Sequence, residues 1–259
     1  MVTPVLSAAA SHVGKIRASN QDSGAVGQHL FIVADGMGGH AGGDVASAIA
    51  VRHLVNVDRS YASVDEAREE LYRGILEAGS ELTEAVAEHP ELTGMGTTVS
   101  AMIRVAGQMV IAHIGDSRIY RLRDGTLEQI TADHTFVQRL VDSGRITPEE
   151  AAVHPRRSVL MRVLGDVDVE PEVDTHIVDT APGDRWLLCS DGLSGYVAER
   201  EIAEILVSID DPQEAVDKLI LASLAEGAPD NVTVVVAHVA ESLDTSPPAE
   251  SKVVGSAAE

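Results

Sequence analysis

A single cysteine, Cys189, is all that the 259 residues contain. That excludes an internal disulfide framework and a thiolate zinc cluster, and it fits a reducing compartment, so a cytoplasmic location is expected. Cations are scarce as well: 19 Lys and Arg stand against 41 Asp and Glu, a formal charge of −22. A surface of that sign repels nucleic acid and anionic membrane, so neither is an expected partner. A phosphate-bearing substrate must then be received at a local exception, such as a metal or a placed arginine. No apolar run approaches the roughly 18 residues needed to cross a bilayer. The start, from Met1 to Ala10, lacks the basic region of a secretory signal and reads as a first strand. What is present, 44% hydrophobic residues, is ample core for one domain.

Apolar, β-rich runs fall at Val5–Val13, His29–Ala34, Thr97–Val105, Met109–Ile114, Ser117–Leu122, Leu127–Ile130, Arg185–Cys189 and Val232–Val239. Gly107 and Asp124-Gly125 supply hairpin chemistry between neighbouring runs, so the middle of the chain reads as an antiparallel meander. Helical spacing appears behind a Ser63-x-x-Glu66 box, at Leu71, Ile75, Ala78, Leu82 and Ala85. It recurs at Ile202, Ile205, Leu206 and Ile209, and after Asp211-Pro212 at Val216, Leu219, Ile220 and Leu224. A mostly helical insertion between Asp133 and Gly165 interrupts the strands, with Thr147-Pro148-Glu149-Glu150 opening a short helix. These features predict a single domain over 1–239 with an appendage at about 133–165. From about Ala240 the composition turns to Ser, Pro, Ala and Glu, and 240–259 is expected to be a disordered tail or linker.

One local arrangement repeats four times: a strand end with an aspartate beside a small or turn-forming residue. Asp35 precedes Gly36, Asp116 follows Gly115, Asp191 precedes Gly192, and Asp230 precedes Asn231 as a strand begins. One such acid is ordinarily a turn residue. Four gathered carboxylates would repel one another, and divalent cations are the usual way such a cluster is neutralised. Oxygen donors without cysteine favour hard ions, Mg²⁺ or Mn²⁺ before Zn²⁺. A fifth element, "GKIRASNQD", carries Arg17, either a solvated surface arginine or a bidentate clamp on phosphate oxygens, and Asp22, which would hold water around a metal.

The glycines of "VADGMGGHAGG" also allow a rival reading. Gly36, Gly38 and Ala41 fit the G-x-G-x-x-G/A spacing of a dinucleotide cradle, with Asp58 as the ribose acid. That reading needs a βαβ unit, which the meander does not offer, and it sets Asp35 against a pyrophosphate. Cys189, inside an apolar strand, reads as a buried small hydrophobe and not as a nucleophile. His113 reads as a hydrogen-bonded structural histidine, and Thr97 and Thr98 as strand residues beneath the site. The Arg156-Arg157 pair is either solvated surface or a local attraction for acidic phosphopeptides.

Taken in order, R-x-x-N-x-D (Arg17, Asn20, Asp22), A-D-G-M-G-G-H (Ala34 to His40), G-T-T (Gly96 to Thr98), H-x-G-D-S-R (His113 to Arg118), D-H-T (Asp133 to Thr135), S-D-G (Ser190 to Gly192) and D-N-V-T (Asp230 to Thr233) span nearly the whole chain before the tail. The set resembles the metal-dependent protein serine/threonine phosphatases of the PPM or PP2C type, bacterial branch. The resemblance implies an α+β fold, a four-layer αββα sandwich of two antiparallel sheets flanked by helices. It implies two Mn²⁺ or Mg²⁺ ions with a third in addition: Asp35 bridging two, Asp191 and Asp230 completing one site, the Gly36 carbonyl serving the other, and Asp116 with Asp191 holding the third. Arg17 would bind the phosphate while a water shared by two ions attacks phosphorus in line. Where eukaryotic members carry a histidine proposed as general acid this chain has Met37, and His40 is the substitute. The insertion corresponds to the family's flap. Expected partners are phosphorylated proteins, namely Ser/Thr kinases and their substrates, acted on by a monomer; a member that binds phosphoproteins without hydrolysing them would lack one of the acids, and all are present.

Overall fold

The strands are apolar on both faces, and that decides the architecture. In β3 (Leu30–Met37), Leu30, Ile32 and Ala34 bury themselves in one cluster and Phe31 and Val33 in another. β11 (Val232–Val239) divides in the same way, Val234 and Val236 from Val235 and Ala237. A sheet buried on both sides needs a layer on each. In the computed structural model, which describes residues 5–38, 42–165, 171–240 and 251–259, each of two sheets faces the other inwardly and helices outwardly.

The first sheet runs in the order β1 (Val5–His12), β11, β10 (Arg185–Cys189), β7 (Arg118–Arg123), β8 (Thr126–Gln129). The second runs β12 (Lys252–Gly255), β2 (Asp22–Val26), β3, β5 (Val99–Val105), β6 (Gln108–Ile114), β9 (Asp174–Asp179), with β4 (Gly96–Thr97) added to the end of β3. These pairings are all antiparallel. Helices α1 (Gly43–Leu54) and α2 (Val64–Glu88) lay Val51, Leu54, Leu71 and Ile75 on the second sheet. The first is covered by α5 (Asp191–Ser194), α6 (Glu199–Ser208) and α7 (Pro212–Ala225), through Leu193, Leu206, Val216 and Leu219. The αββα sandwich is therefore present. Three helix starts carry the side-chain caps their sequences promised: Ser63 accepts from Glu66 N, Asp211 from Glu214 N, and Thr147 and Glu150 form a reciprocal box at α4 (Pro148–Ala152), each contributing about 1 kcal/mol. With α3 (Phe136–Asp142), α4 makes the helical insertion between β8 and β9.

Three strands escape the hydrophobic pattern. β2 reads "DSGAV", too small and polar to register as apolar, although all five residues are buried. β9, "DTHIVD", is a partly exposed edge. The third corrects the expected tail. Lys252–Gly255 pairs with β2, Val254 is buried between the sheets, and Ala257 packs against the α1 side. Ser256 donates to Asn20 O and Ala257 N donates to Ser23 Oγ. A polar composition hid four residues that need only an open sheet edge to form a strand; 241–250 lie outside the described residues. Among those described, no helix is long and apolar enough to cross a membrane.

The layer between the sheets grades along its length. Its middle is Phe31, Met102, Ile111, Ile119, Trp186, Leu188 and Val235. On the same strand faces, at one end, stand Ser11, Asp22, Asp35, Ser100, His113, Ser117, Ser190 and Thr233, since side chains two residues apart share a face. The apolar layer thus ends in a polar one. Deleting 251–259 should unpair the β2 edge and expose Val254 and Ala257; thermal denaturation should show a loss of about 2–3 kcal/mol, and an unchanged midpoint would contradict the docking of this strand.

Candidate active site

Five acids from both sheets meet at the polar end of that layer. Asp22 and Asp35 are direct cross-strand partners and so project to the same face. Asp116 lies in the turn from β6 to β7, Asp191 opens α5 straight after β10, and Asp230 precedes β11. Asp35, Gly36, Asp116, Asp191 and Asp230 line a cavity of about 520 Å³, with Arg17 and Met37 at its rim and Ser158 and Leu160 reaching it from the insertion. A larger cavity of about 610 Å³ opens beside the insertion among His134, Arg139, Arg162 and Asp174. Two of its acids are already paired, Asp174 with Arg162 and Asp133 with Arg118, so it lacks the unneutralised cluster.

The strand ends are fixed by a buried polar floor. Asp35 N donates to Thr98 Oγ1 at 2.9 Å and Thr97 Oγ1 donates to Asp35 O at 3.0 Å. Thr98 Oγ1 also meets Ser117 Oγ at 2.7 Å, which ties the Asp35 strand to the residue after Asp116. Ser190 Oγ donates across the layer to Asp22 Oδ2 at 2.7 Å and accepts from Thr233 N at 3.0 Å. Asn231, adjacent to Asp230, accepts from Gln21 N and donates to the carbonyls of Val13 and Ser19, pinning the loop that carries Arg17. Gly36 sits where the chain admits nothing larger: a Cβ there would lie 1.9 Å from Gly43 O and 2.5 Å from Gln21 O.

Electrostatically the cluster is unsatisfied. Burial, then the charges of Asp22, Asp191, Asp116 and Asp230, hold the Asp35 carboxyl well above the usual carboxylate range. Burial and Asp191 do the same to Asp116. Asp22 is pushed up to about 7 and Asp191 to about 6, by burial first and neighbouring carboxylates next. Asp22 is wholly buried, stands behind the cavity lining, and leaves Oδ1 without a hydrogen-bond partner. Opposite charge arrives from Arg17, which donates to Asp230 Oδ2 at 2.7 Å and is itself half-exposed, and from Arg118 acting on Asp116. That hydrogen bond raises the Arg17 pKa further, with Asp35 and Asp191 adding to it.

All-oxygen donors, an orphaned buried carboxylate oxygen and mutually repelling acids fit a site for hard divalent ions. Among the described residues no three such side chains already close around one position, so backbone oxygen and water would complete the coordination, as Mg²⁺ commonly requires.

The rival and subsidiary readings fall into place. β3 pairs antiparallel with β2 and β5, so no βαβ unit surrounds the glycines. Asp58 accepts from Gln28 N and His29 N and serves a turn. Cys189 is buried, its thiol pushed up to about 12 by burial, and is no nucleophile. His113 is fully buried between Ser100 Oγ and Ala132 O, and burial lowers its pKa to about 3, so it is a neutral structural residue. Arg156 lies over the Phe136 ring at 3.9 Å. His40 and Ala41 lie outside the described residues. Ser190, Asn231 and His134 carry roles that the sequence did not assign them; all three sit inside the quoted motifs, which is the available signal.

The profile of the family described as Protein phosphatase 2C matches residues 10–227. The chain belongs to that family. As a protein phosphatase 2C domain it is 47% identical over 234 residues to the serine/threonine protein phosphatase PstP of Mycobacterium tuberculosis, covering 90% of this chain and 45% of that protein. It is 42% identical to the serine/threonine phosphatase stp of Listeria monocytogenes, covering 86% of this chain and 91% of that one. The PstP catalytic domain in complex with two manganese ions superposes with a TM-score of 0.82 at 44% identity, over 91% of this chain and 98% of that one. The chain therefore spans about half the length of the mycobacterial relative. Because its strand end packs backbone against backbone, Gly36→Ala should destabilise this phosphatase domain by about 3 kcal/mol, read by denaturant titration; a variant as stable as wild type would contradict the packing at Gly36.

Proposed function

We propose that this domain hydrolyses phosphoserine and phosphothreonine in proteins with two Mn²⁺ or Mg²⁺ ions and a third in addition. The observation that carries the reading is the convergence of Asp35, Asp116, Asp191 and Asp230 on one cavity with Arg17 at its rim. The ions would be held by Asp35, by Asp191 and Asp230, by the Gly36 carbonyl, and by Asp116 together with Asp191. Divalent ions held by these residues would supply charge neutralisation and an acidified water for attack on phosphorus. Asp22, through its unpartnered Oδ1, orients water behind Asp35.

Arg17 receives the phosphate. One N–H of its fork is committed to Asp230 and the others remain for phosphate oxygens, so the same side chain ties substrate to the acid cluster. Half exposed at the rim, it reaches a phosphate presented on a protein surface. In-line phosphoryl transfer depends on positioning and charge stabilisation, and the polar floor fixes the strand ends that do the positioning. His40 is assigned the proton donated to the leaving alkoxide, on its place in the sequence three residues beyond Met37. Phosphorylated proteins, among them Ser/Thr kinases and their targets, are the proposed substrates, and the acting form a monomer.

Release of phosphate from a phosphothreonine peptide should require Mn²⁺, stop with EDTA, and fall at least about 100-fold in Asp35→Asn and Asp191→Asn, the scale of losing a directly acting charge. Activity undiminished by chelator would defeat the proposal. Arg17→Ala should raise KM and weaken inhibition by inorganic phosphate while Mn²⁺ still binds; an unaltered KM removes Arg17 from the site. His40→Ala should change the pH profile of kcat, and an unchanged profile removes the assignment.

A further inference from the structure

His134 belongs to neither the acid cluster nor the cavity that holds it, yet it is bonded to the turn that presents Asp116. Its backbone N donates to Gly115 O at 2.7 Å, and Gly115 N donates to its ring Nδ1 at 3.1 Å. Both backbone polar groups of the residue before Asp116 are thus held by one side chain and its own main chain. Gly115 is at φ +109, and a Cβ would strike Thr98 at 2.5 Å, so the turn is tight and has little room to relax. Beyond Asp116, Ser117 is held in turn: its carbonyl accepts from Ser100 Oγ at 2.8 Å and its hydroxyl meets Thr98 Oγ1. Only the Asp116 carboxylate between the two clamps faces the cavity.

We propose that His134 is a positioning residue for Asp116, its imidazole gripping Gly115 so that the acid is aimed at the third ion. This rests on the assignment of Asp116 as a ligand made above. The partners fix the tautomer. Nδ1 accepts from Gly115 N, so the ring proton is on Nε2, where Asp174 Oδ2 accepts it at 3.1 Å; Arg162 Nη1 also stands 3.3 Å from Nε2, and its N–H groups are directed to Asp174 and Glu172 instead. Although burial alone would raise the Asp174 carboxyl, the His134 hydrogen bond and the nearby Arg162 hold it below the usual range and keep it an acceptor. Arg162 donates to Asp174 Oδ1 at 3.1 Å and pairs with Glu172 at 2.9 Å. The His134 ring lies 4.8 Å from that of His113, and its carbonyl accepts from Met161 N at 2.8 Å. The insertion's returning segment at Met161 and the Asp116 turn therefore share one joint, and the indirect partner of a metal ligand is commonly worth a factor of ten or more in affinity.

Two variants separate the roles of the ring nitrogens. Asn places an acceptor near the position of Nδ1 and loses the reach to Asp174; Gln places a donor near Nε2 and loses the acceptor for Gly115. In calorimetric Mn²⁺ titration, Asp116→Asn should abolish one binding step, and His134→Gln should weaken that same step about 10- to 100-fold with the other steps unchanged. His134→Asn should stay within about threefold of wild type, the size of effect expected when the bond to Gly115 is kept. Equal losses in both variants, or none in either, overturn the proposal. If Asp116→Asn loses no ion, the ligand assignment has failed instead. The clamp is then still decided by ¹⁵N spectroscopy of the chelated wild type: a His134 ring protonated at Nε2 and coupled through Nδ1 to the Gly115 amide supports it, and a proton on Nδ1 overturns it.

Discussion

Repulsion among carboxylates that the fold itself brings together is the constraint on which the rest of this molecule depends. Asp22 and Asp35 face each other across one strand pair, and Asp191 and Asp230 enter from the other sheet. Burial and mutual charge raise four of the five acids, Asp22 and Asp191 to about 7 and about 6. A folded chain tolerates that only if the backbone around the acids is held by other means. It is held by hydroxyls: Thr98, Ser117 and Ser190 occupy the strand positions that are apolar a few residues further in.

The two-sheet architecture explains why the site lies where it does. Its middle layer is closed by large apolar side chains such as Trp186 and Phe31, and polar groups can gather only where the strands run out toward solvent. Strand ends are also where a carboxylate can point outward while its own backbone remains in the ladder. The last described strand reinforces the same corner from behind, since Ser256 and Ala257 bond to Asn20 and Ser23 on either side of Asp22. Core, edge strand and acids are one mechanical unit.

Much of this was legible in the residues. Apolar, β-rich runs marked eight of the strands, capping signals marked the starts of α2, α4 and α7, and aspartate beside glycine or asparagine marked four of the five site acids. Short or polar strands were not legible: β2 is made of small residues whose burial comes from its neighbours, and β12 from a segment whose composition is that of a linker. Contacts between residues distant in sequence were equally hidden. Nothing near Asn231 shows that it pins the Arg17 loop more than 200 positions earlier, and nothing near His134 shows that it holds Gly115. The motifs carried these residues; only the fold assigns them partners.

The cluster's dependence on a cation is tested most directly by thermal stability against pH, with and without Mn²⁺. Asp22 and Asp191 keep protons in the folded, metal-free chain up to about 7 and about 6, whereas their ordinary value is 3.8. Between those limits the native state binds more protons than the unfolded one, so stability present at low pH is lost as pH rises through the folded values. In chelator, the melting temperature should fall from about pH 5.5 to about pH 8; saturating Mn²⁺ should remove that fall, because its ligands bind deprotonated. Asp35→Asn in chelator should melt above wild type at the higher pH and gain nothing from Mn²⁺. A metal-free wild type that grows more stable over this range, together with an Asp35→Asn variant that melts below it, would contradict a cluster held against its own repulsion for a cation.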